Sequence, residues 1–299
     1  MGEVLFTTND VANILHVDKS TVKRWTDEGK LKCFRTPGGH RKFRSEDLFT
    51  FITDNNYAKE TLQMYPQVMS DEMIIRSIVQ KKEFNILQSV CFSAAIKGNK
   101  TELLQLFTET NSAGLSIGGI FDNILKPTTK KLNYMLSQNK LAVSEIHLAQ
   151  NVLTSVIIQW SETMMKLPRN RKTIVCASIE NGRNEIELTA LITLFELNGY
   201  TVLNLGTGIN SDSINQFVTR TKPFAVCLSA SFTQNLEYLF VELKKVAEYS
   251  KINGAHCMAS GDAYQTFNFS SLEQVNYFPM LSDLELHQNI TSRSTISLK

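Results

Sequence analysis

The residues with the clearest chemical meaning lie in one short basic stretch near the start of the chain. The sequence has 31 basic and 29 acidic residues, of which nine basic and two acidic ones lie between Lys19 and Arg44. The rest of the chain therefore holds 22 basic and 27 acidic residues. Cationic groups concentrated in this way are typical of a surface that binds a polyanion. The alternative interpretation is an ordinary solvated charged face.

Two short helices are predicted to position these cations. Thr7 is a plausible N-cap with Asp10 three residues later, which is the capping-box spacing. Asp18 can cap a second helix that starts at Lys19 and is stopped by Gly29. Two such helices joined by a tight turn predict a helix-turn-helix unit. On the second helix, Val22 and Trp25 are expected to face the core, and the outer side carries Lys19, Ser20, Lys23 and Arg24.

A hairpin is predicted directly after the helices. Residues 31–35 and 40–44 are two short strand-like runs on either side of Thr36-Pro37-Gly38-Gly39. The Pro-Gly-Gly run supplies a preset turn followed by residues that tolerate positive φ. Such a wing can lie along a phosphate backbone with its small tip in a narrow groove. Ser45 is expected to cap a third helix.

The run TTNDVANILHVDKSTVKRWTDEGKL…FRTPGGHRKF resembles the MerR-type winged-helix domain over nearly all of residues 5–53. This resemblance implies contacts to double-stranded DNA from the recognition helix and the wing. The residues concerned are Lys19, Ser20, Thr21, Arg24, Arg35, His40 and Arg41. His40 has the alternative role of a satisfied turn residue, and Arg41 that of a solvated charge. If Arg41 contacts a phosphate, Arg41→Ala should weaken binding across sequences and lower its salt dependence.

The five cysteines are widely spaced and form no C-x-x-C pair, so they predict neither a zinc site nor a redox motif. Cys176 and Cys227 lie in apolar runs, which is typical of buried thiols in a reducing compartment. The chain starts without the features of a signal peptide, and no apolar stretch approaches the length of a membrane span. We therefore expect a soluble, cytoplasmic protein.

Four segments are predicted: a DNA-binding domain over 1–53, a polar connector over 54–75, a helical block over 76–168 and an α/β domain over 171–299. The helical block has four amphipathic patterns, which favour a four-helix bundle. They run over 83–97, 100–110, 117–136 and 142–167, and Pro127 is a candidate kink in the third.

Alternating strand and helix patterns follow in the last segment and predict a flavodoxin-like, doubly wound parallel sheet. Strands are expected over 173–179, 201–205, 224–229, 256–260 and 275–278, with helices over 185–197, 211–219 and 236–249. Ligands in such folds bind at the carboxyl ends of the strands. The run from Gly206 to Ser211 is like half of a dinucleotide fingerprint, but we favour a turn in which Ser211 caps the next helix.

Taken together, these segments resemble the cobalamin-binding, light-sensing repressors of the carotenoid regulator type. That family carries Trp, nine residues, then Glu-His in its bundle, and Asp/Glu-x-His-x-x-Gly after the first strand of the α/β domain. Here Leu136 and Ile146 stand at the Trp and Glu positions, and His147 matches the histidine. Gly182, Asn184 and Glu187 stand at the second motif, while Ser229 and Gly261 match later turns.

These departures predict that the family's mode of cobalamin binding is lost. An amide at Asn184 is a poor cobalt ligand compared with imidazole, and Glu187 places a carboxylate where the family needs bare backbone. We expect no cofactor, no resident metal and no catalytic residue.

Our leading hypothesis is a repressor of transcription with a degenerate sensor. Its partners would be DNA and further copies of the chain, with a protein antagonist or another small ligand also open. The alternatives are a cobalamin-binding, light-responsive repressor with a non-standard site, and a corrinoid enzyme.

Overall fold

The structure is a computed structural model that describes residues 5–15, 17–44, 47–48, 51, 55, 72–82, 84–179, 185–231, 233 and 235–284. Ser45 and most of the predicted connector lie outside these residues. The chain divides into two compact units. The first contains residues 1–115 and 123–141, and the second contains residues 116–122 and 142–299.

A small winged helix-turn-helix opens the first unit, as the sequence predicts. Its elements are β1 (Leu5–Thr7), α1 (Thr8–Ile14), α2 (Lys19–Asp27), β2 (Phe34–Arg35) and β3 (Arg41–Arg44). The three strands form an antiparallel sheet in the order β1-β3-β2. The predicted capping box is present, since the Thr7 N–H donates to Asp10 Oδ2 at 2.8 Å and the Asp10 N–H donates to Thr7 Oγ1 at 3.2 Å.

The other helices of the first unit pack against one another and form a helical cluster. They are α3 (Glu72–Lys81), α4 (Phe84–Ile96), α5 (Lys100–Ser112) and α7 (Lys126–Ser137). The sequence interpretation missed α3, although Ile75 and Ile78 repeat at helical spacing and are both buried. The sequence predicts residues 142–167 as the fourth helix of a bundle, and the helix observed there, α8 (Val143–Glu162), groups with the second unit.

The helix predicted over 117–136 is interrupted. A short helix α6 (Ile117–Ile120) runs into a π-helical turn over Phe121–Leu125, and α7 starts after it. Pro127 therefore lies in the first turn of α7. Backbone N–H groups in a first turn have no partner within the helix, so the proline costs no hydrogen bond there. The expected kink at Pro127 is wrong, because the irregularity precedes the proline.

The second unit is built on a parallel sheet of five strands. They are β4 (Thr173–Ser178), β5 (Thr201–Thr207), β6 (Ala225–Ser229), β7 (His256–Ser260) and β8 (Val275–Phe278). Their order is β5-β4-β6-β7-β8, which is the flavodoxin-like order with the second strand at one edge. The predicted fold class is thus confirmed for this part of the chain.

Helices cover both faces of this sheet. The connecting helices are α9 (Glu185–Leu197), α10 (Ser211–Thr221) and α11 (Leu236–Ile252). Val226 and Leu228 of β6 belong to the apolar core that α10 and α11 cover. Because side chains alternate along a strand, Cys227 and Ser229 point to the opposite face, over which α9 packs. Helix α8 packs in turn on α9.

Two local details in this unit depend on side chains far away in sequence. The N-cap of α10 is Asn210, whose side chain accepts from the Ser213 N–H at 2.9 Å, so the prediction of Ser211 as the cap is wrong. The Ser211 N–H instead donates to the buried Glu242 carboxylate at 2.7 Å. In the π-helical turn, the buried Asp122 accepts from the N–H groups of Leu281 and Ser282 at 2.9 and 2.8 Å.

Candidate functional site

The recognition helix presents the predicted cations to solvent. Lys19, Ser20 and Arg24 are exposed on α2 and Thr21 is partly buried, while Val22 and Trp25 face the core. Trp25 packs against Phe51 with a ring-centroid separation of 4.9 Å. The apolar side of α2 is thus fixed by packing, which leaves its polar side free to meet a partner.

The wing is a tight hairpin that adds further cations. Arg35 pairs with Arg41 across the ladder, the Thr36 N–H donates to the His40 carbonyl at 2.9 Å, and Gly39 has a φ of +76°. A positive φ is a conformation that glycine adopts without steric cost. His40 is exposed at the end of this turn. The two strands of the wing therefore carry the predicted residues on a short rigid support.

Asp27, at the last turn of α2, holds the wing. Its Oδ1 accepts from Arg41 Nη2 at 2.5 Å and lies 3.8 Å from Arg35 Nη2. The side chain of Arg41 is only 15% exposed, whereas that of Arg35 is 61% exposed. Arg41 is therefore placed to orient the wing on the helix, and Arg35 is more available to a phosphate. The sequence interpretation missed Asp27, although it is one of two acidic residues in a basic stretch.

The positions implied by the second resemblance fall into three groups. Leu136 is partly buried near the end of α7 in the first unit. On α8 in the second unit, Ile146 is buried and His147 beside it is exposed. Glu187, Ser229 and Gly261 lie at the carboxyl edge of the parallel sheet, and Gly182 and Asn184 fall outside the described residues.

The carboxyl edge brings Glu187, Ser229 and Gly261 into one neighbourhood. Glu187 lies in the first turn of α9, and Gly261 has a φ of +119° directly after β7. A Cβ added at Gly261 would overlap the Ala230 carbonyl and would stand 2.9 Å from Glu187 Oε1. Ser229 is buried, and its Oγ has no hydrogen-bond partner among the described residues.

Tyr277 of β8 closes the same neighbourhood from the other side. Its hydroxyl donates to the Gly261 carbonyl at 3.2 Å, and its ring stacks on Phe269 at 4.7 Å. Burial first, and then the nearby carboxylates of Asp262 and Glu187, raise the pKa of Tyr277 to about 12. Partial burial and the neighbouring negative charges both favour the neutral phenol at this edge.

These residues do not fit cobalamin. The Glu187 carboxylate takes the space over Gly261 that the family leaves to backbone, and no histidine occurs between His147 and His256. Among the described residues of this edge, the Ser229 hydroxyl favours a ligand, because it is buried and has no hydrogen-bond partner there. Among the described residues, no group of three His, Cys, Asp or Glu side chains could hold a metal ion.

Four of the five thiols are buried, and Cys33 is partly exposed. Burial raises the pKa of Cys91 and of Cys257 to about 12, and it raises the pKa of Cys176 and Cys227 as well. A thiol needs its thiolate form to act as a nucleophile, so these side chains are structural. No described helix has the length and the apolar character that crossing a membrane requires.

Comparison with known proteins agrees with this architecture. Residues 5–56 match the family model of a helix-turn-helix domain, so the DNA-binding class of fold predicted for the start of the chain is confirmed. A transcriptional repressor, DcmR of Methylorubrum extorquens, is 29% identical over 127 residues. That match covers 42% of this chain and 47% of the repressor, so it spans about half of the relative's length.

One of two similar solved structures shows a fold that is shared with a large part of the chain. The monomethylamine corrinoid protein of Methanosarcina barkeri aligns with a TM-score of 0.51 at 14% identity, over 67% of this chain and 96% of that protein. A cobalamin-binding protein from Desulfitobacterium hafniense aligns over 75% of this chain and 98% of its own, with a TM-score of 0.33 and 15% identity. At such identities the first of these likenesses shows a shared fold, and the second is too distant to support an argument.

Proposed function

We propose that the protein is a sequence-specific DNA-binding repressor of transcription whose α/β domain does not use cobalamin. The observation that carries the proposal is the winged helix-turn-helix, with Lys19, Ser20 and Arg24 exposed at the start of α2 and Arg35 exposed on the wing. In helix-turn-helix domains the start of the second helix enters the major groove. The similarity to a transcriptional repressor over part of the chain supports the same role.

The proposal includes self-association and a location with the DNA in the cytoplasm. One winged domain buries too little surface for tight specific binding, and paired half-sites supply the affinity that a single module lacks. The helical cluster and the α/β domain would then serve as the association block, and they could also respond to a protein antagonist or a small ligand. The proposal assigns no catalytic step to the chain.

DNA selection with the full-length protein tests the DNA-binding role. Genomic fragments retained by the protein would be sequenced, and the enriched site would be used in shift assays at several salt concentrations. We expect nanomolar binding to that site. The double variant Lys19→Ala/Arg24→Ala should bind more weakly and lose about 2 from the slope of log affinity against log salt, if each cation meets one phosphate.

The matched control for the double variant is Lys166→Ala, which removes an exposed cation from the second unit. Its affinity and its salt slope should equal those of the unchanged protein. The proposal is wrong if no sequence is enriched, or if the double variant binds the enriched site as tightly as the control does.

A second candidate is a cobalamin-binding, light-responsive repressor with a non-standard site. The unpartnered Ser229 Oγ at the ligand edge of the sheet is the observation that favours it. The protein would be incubated with adenosylcobalamin in the dark, separated by gel filtration and measured by absorbance before and after illumination. A stoichiometric, light-sensitive complex would establish this candidate in place of the first.

A further inference from the structure

At the carboxyl edge of the parallel sheet, the turn after β6 and the turn after β7 pack directly on each other at Ala230 and Gly261, and we call the space over this contact the slot. One wall is the backbone at Ala230, whose N–H donates to the Ser260 carbonyl at 2.9 Å and whose carbonyl accepts from the Ala263 N–H at 3.0 Å. The other wall is Gly261. Because Gly261 has no side chain, this slot is the place where another group can approach the backbone closely.

The group that approaches is the side chain of Glu187. Its Oε1 is 2.9 Å from the position that a Cβ on Gly261 would take, and its Oε2 is buried. Glu187 reaches this position from the first turn of α9, which packs over β4 and β6. The space beside Gly261 is therefore taken by two groups of the same chain, first the Ala230 carbonyl and then the Glu187 carboxylate.

Serine side chains line the sheet on the side covered by α9, the helix that carries Glu187. By the alternation of side chains, Ser178, Ser229 and Ser260 all point to the face that α9 covers, and all three are buried at the ends of neighbouring strands. Tyr277 holds the same backbone through its bond to the Gly261 carbonyl. The slot thus combines a polar lining, a bare backbone wall and an occupant that is a side chain.

We propose that the Glu187 side chain is the built-in occupant of the slot over the contact between Ala230 and Gly261, and that it keeps this edge of the sheet closed without any ligand. The consequence for regulation rests on the proposed function: a domain closed from within gives a repressor whose DNA binding is independent of cobalamin. The structural claim itself concerns the second unit alone.

Three variants test the claim in the full-length protein. Glu187→Ala removes the occupant, Glu187→Gln keeps its shape without the charge, and Glu185→Ala changes an exposed glutamate of the same helical turn as a control. Amide hydrogen exchange at Ala230 and Ala263 reports whether the turns stay closed. The ¹³C resonance of labelled Tyr277 followed with pH reports the charge beside its hydroxyl.

We expect Glu187→Ala to lower the protection of the Ala230 and Ala263 amides by roughly tenfold, because local opening becomes easier when a buried contact is lost. Glu187→Gln should keep most of that protection and still lower the pKa of Tyr277 from its value of about 12, since it removes a neighbouring negative charge. Glu185→Ala should leave both readouts unchanged.

Two results would overturn the proposal. One is a Glu187→Ala protein whose amide protection and Tyr277 titration equal those of the Glu185→Ala control. The other is stoichiometric binding of hydroxocobalamin by the unchanged protein in equilibrium dialysis. Neither measurement uses DNA, so a failure to bind DNA would remove the proposed function and leave the result for the slot standing.

Discussion

The wing and the slot are two places where a glycine with positive φ supports a candidate site, and they differ in what surrounds that glycine. At Gly39 an added Cβ would meet nothing within 4 Å, whereas at Gly261 it would overlap the Ala230 carbonyl and press on Glu187. The wing faces solvent and displays its cations, as a surface that binds a large partner must. The slot is packed with the chain's own atoms, as a core is. The same sequence signal therefore has opposite functional meanings in these two regions.

Alanine at each glycine gives the largest expected effect and tests this contrast directly. Gly39→Ala should lower the free energy of unfolding by about 1–2 kcal/mol, because alanine adopts the left-handed conformation less readily than glycine. Gly261→Ala adds overlap with backbone to a conformation that is essentially restricted to glycine, so we expect at least about 3 kcal/mol. Differential scanning calorimetry of both variants, with the unfolding of each unit followed separately, measures these costs.

The outcome is informative in either direction. For a unit of this size, about 3 kcal/mol corresponds to a fall of roughly 6–12 °C in the unfolding temperature of the α/β domain. Gly39→Ala should leave that transition unchanged. Equal, small effects of the two substitutions would mean that the slot is as open as the wing, and the contrast between the regions would be lost.

The winged helix-turn-helix could be predicted from sequence because its determinants are local. The Thr7–Asp10 capping box, the turn before Arg41 and the inward spacing of Val22 and Trp25 all act within a few residues. The parallel sheet with helices on both faces followed from the regular alternation of strands and helices. These features need no knowledge of distant contacts.

The features that could not be predicted depend on partners far away in sequence. Asp122 binds the backbone of Leu281 and Ser282 about 160 residues later, which no local pattern indicates. The Glu187 carboxylate meets Gly261 only because the start of α9 and the end of β7 lie at the same edge of the sheet. From the sequence, Glu187 could be identified as a departure from a motif, but the place its side chain fills could not.

The two arginines of the wing provide a smaller test, within the exposed region itself. Arg35 is mostly exposed, and Arg41 is mostly covered by its contact with Asp27. We expect Arg35→Ala to lower the salt slope of DNA binding by about 0.9, the contribution of one phosphate. Arg41→Ala should lower the slope by less and should instead loosen the wing. Shift assays at several salt concentrations measure both slopes.

Asp27→Asn distinguishes these two roles for Arg41. The amide can still accept from Arg41 but lacks the negative charge, so the wing should keep its position while non-specific DNA binding becomes stronger. If Arg41→Ala lowers the slope as much as Arg35→Ala does, Arg41 contacts phosphate itself, as the sequence first indicated, and its role in orienting the wing is wrong.

The smallest expected effect concerns the pH dependence of the slot. A tyrosine in the unfolded chain ionises near pH 10, whereas Tyr277 in the folded domain has a pKa of about 12 because of burial and the carboxylates of Asp262 and Glu187. As the pH rises, Tyr277 therefore loses its proton at a lower pH in the unfolded chain than in the folded domain. The stability that neutral Tyr277 contributes is fully present below pH 10 and is lost as the pH rises towards 12.

Tyr277→Phe should remove this pH-dependent component, and Tyr134→Phe, which changes an exposed tyrosine of the first unit, should not. Urea unfolding at intervals between pH 8 and 12 gives the comparison. The stability difference between the unchanged protein and Tyr277→Phe should be constant up to about pH 10 and shrink above it. A difference that stays constant to pH 12 would mean that Tyr277 ionises like a tyrosine in water. The carboxyl edge would then be open to solvent in the way the wing is, and Glu187 would not close it.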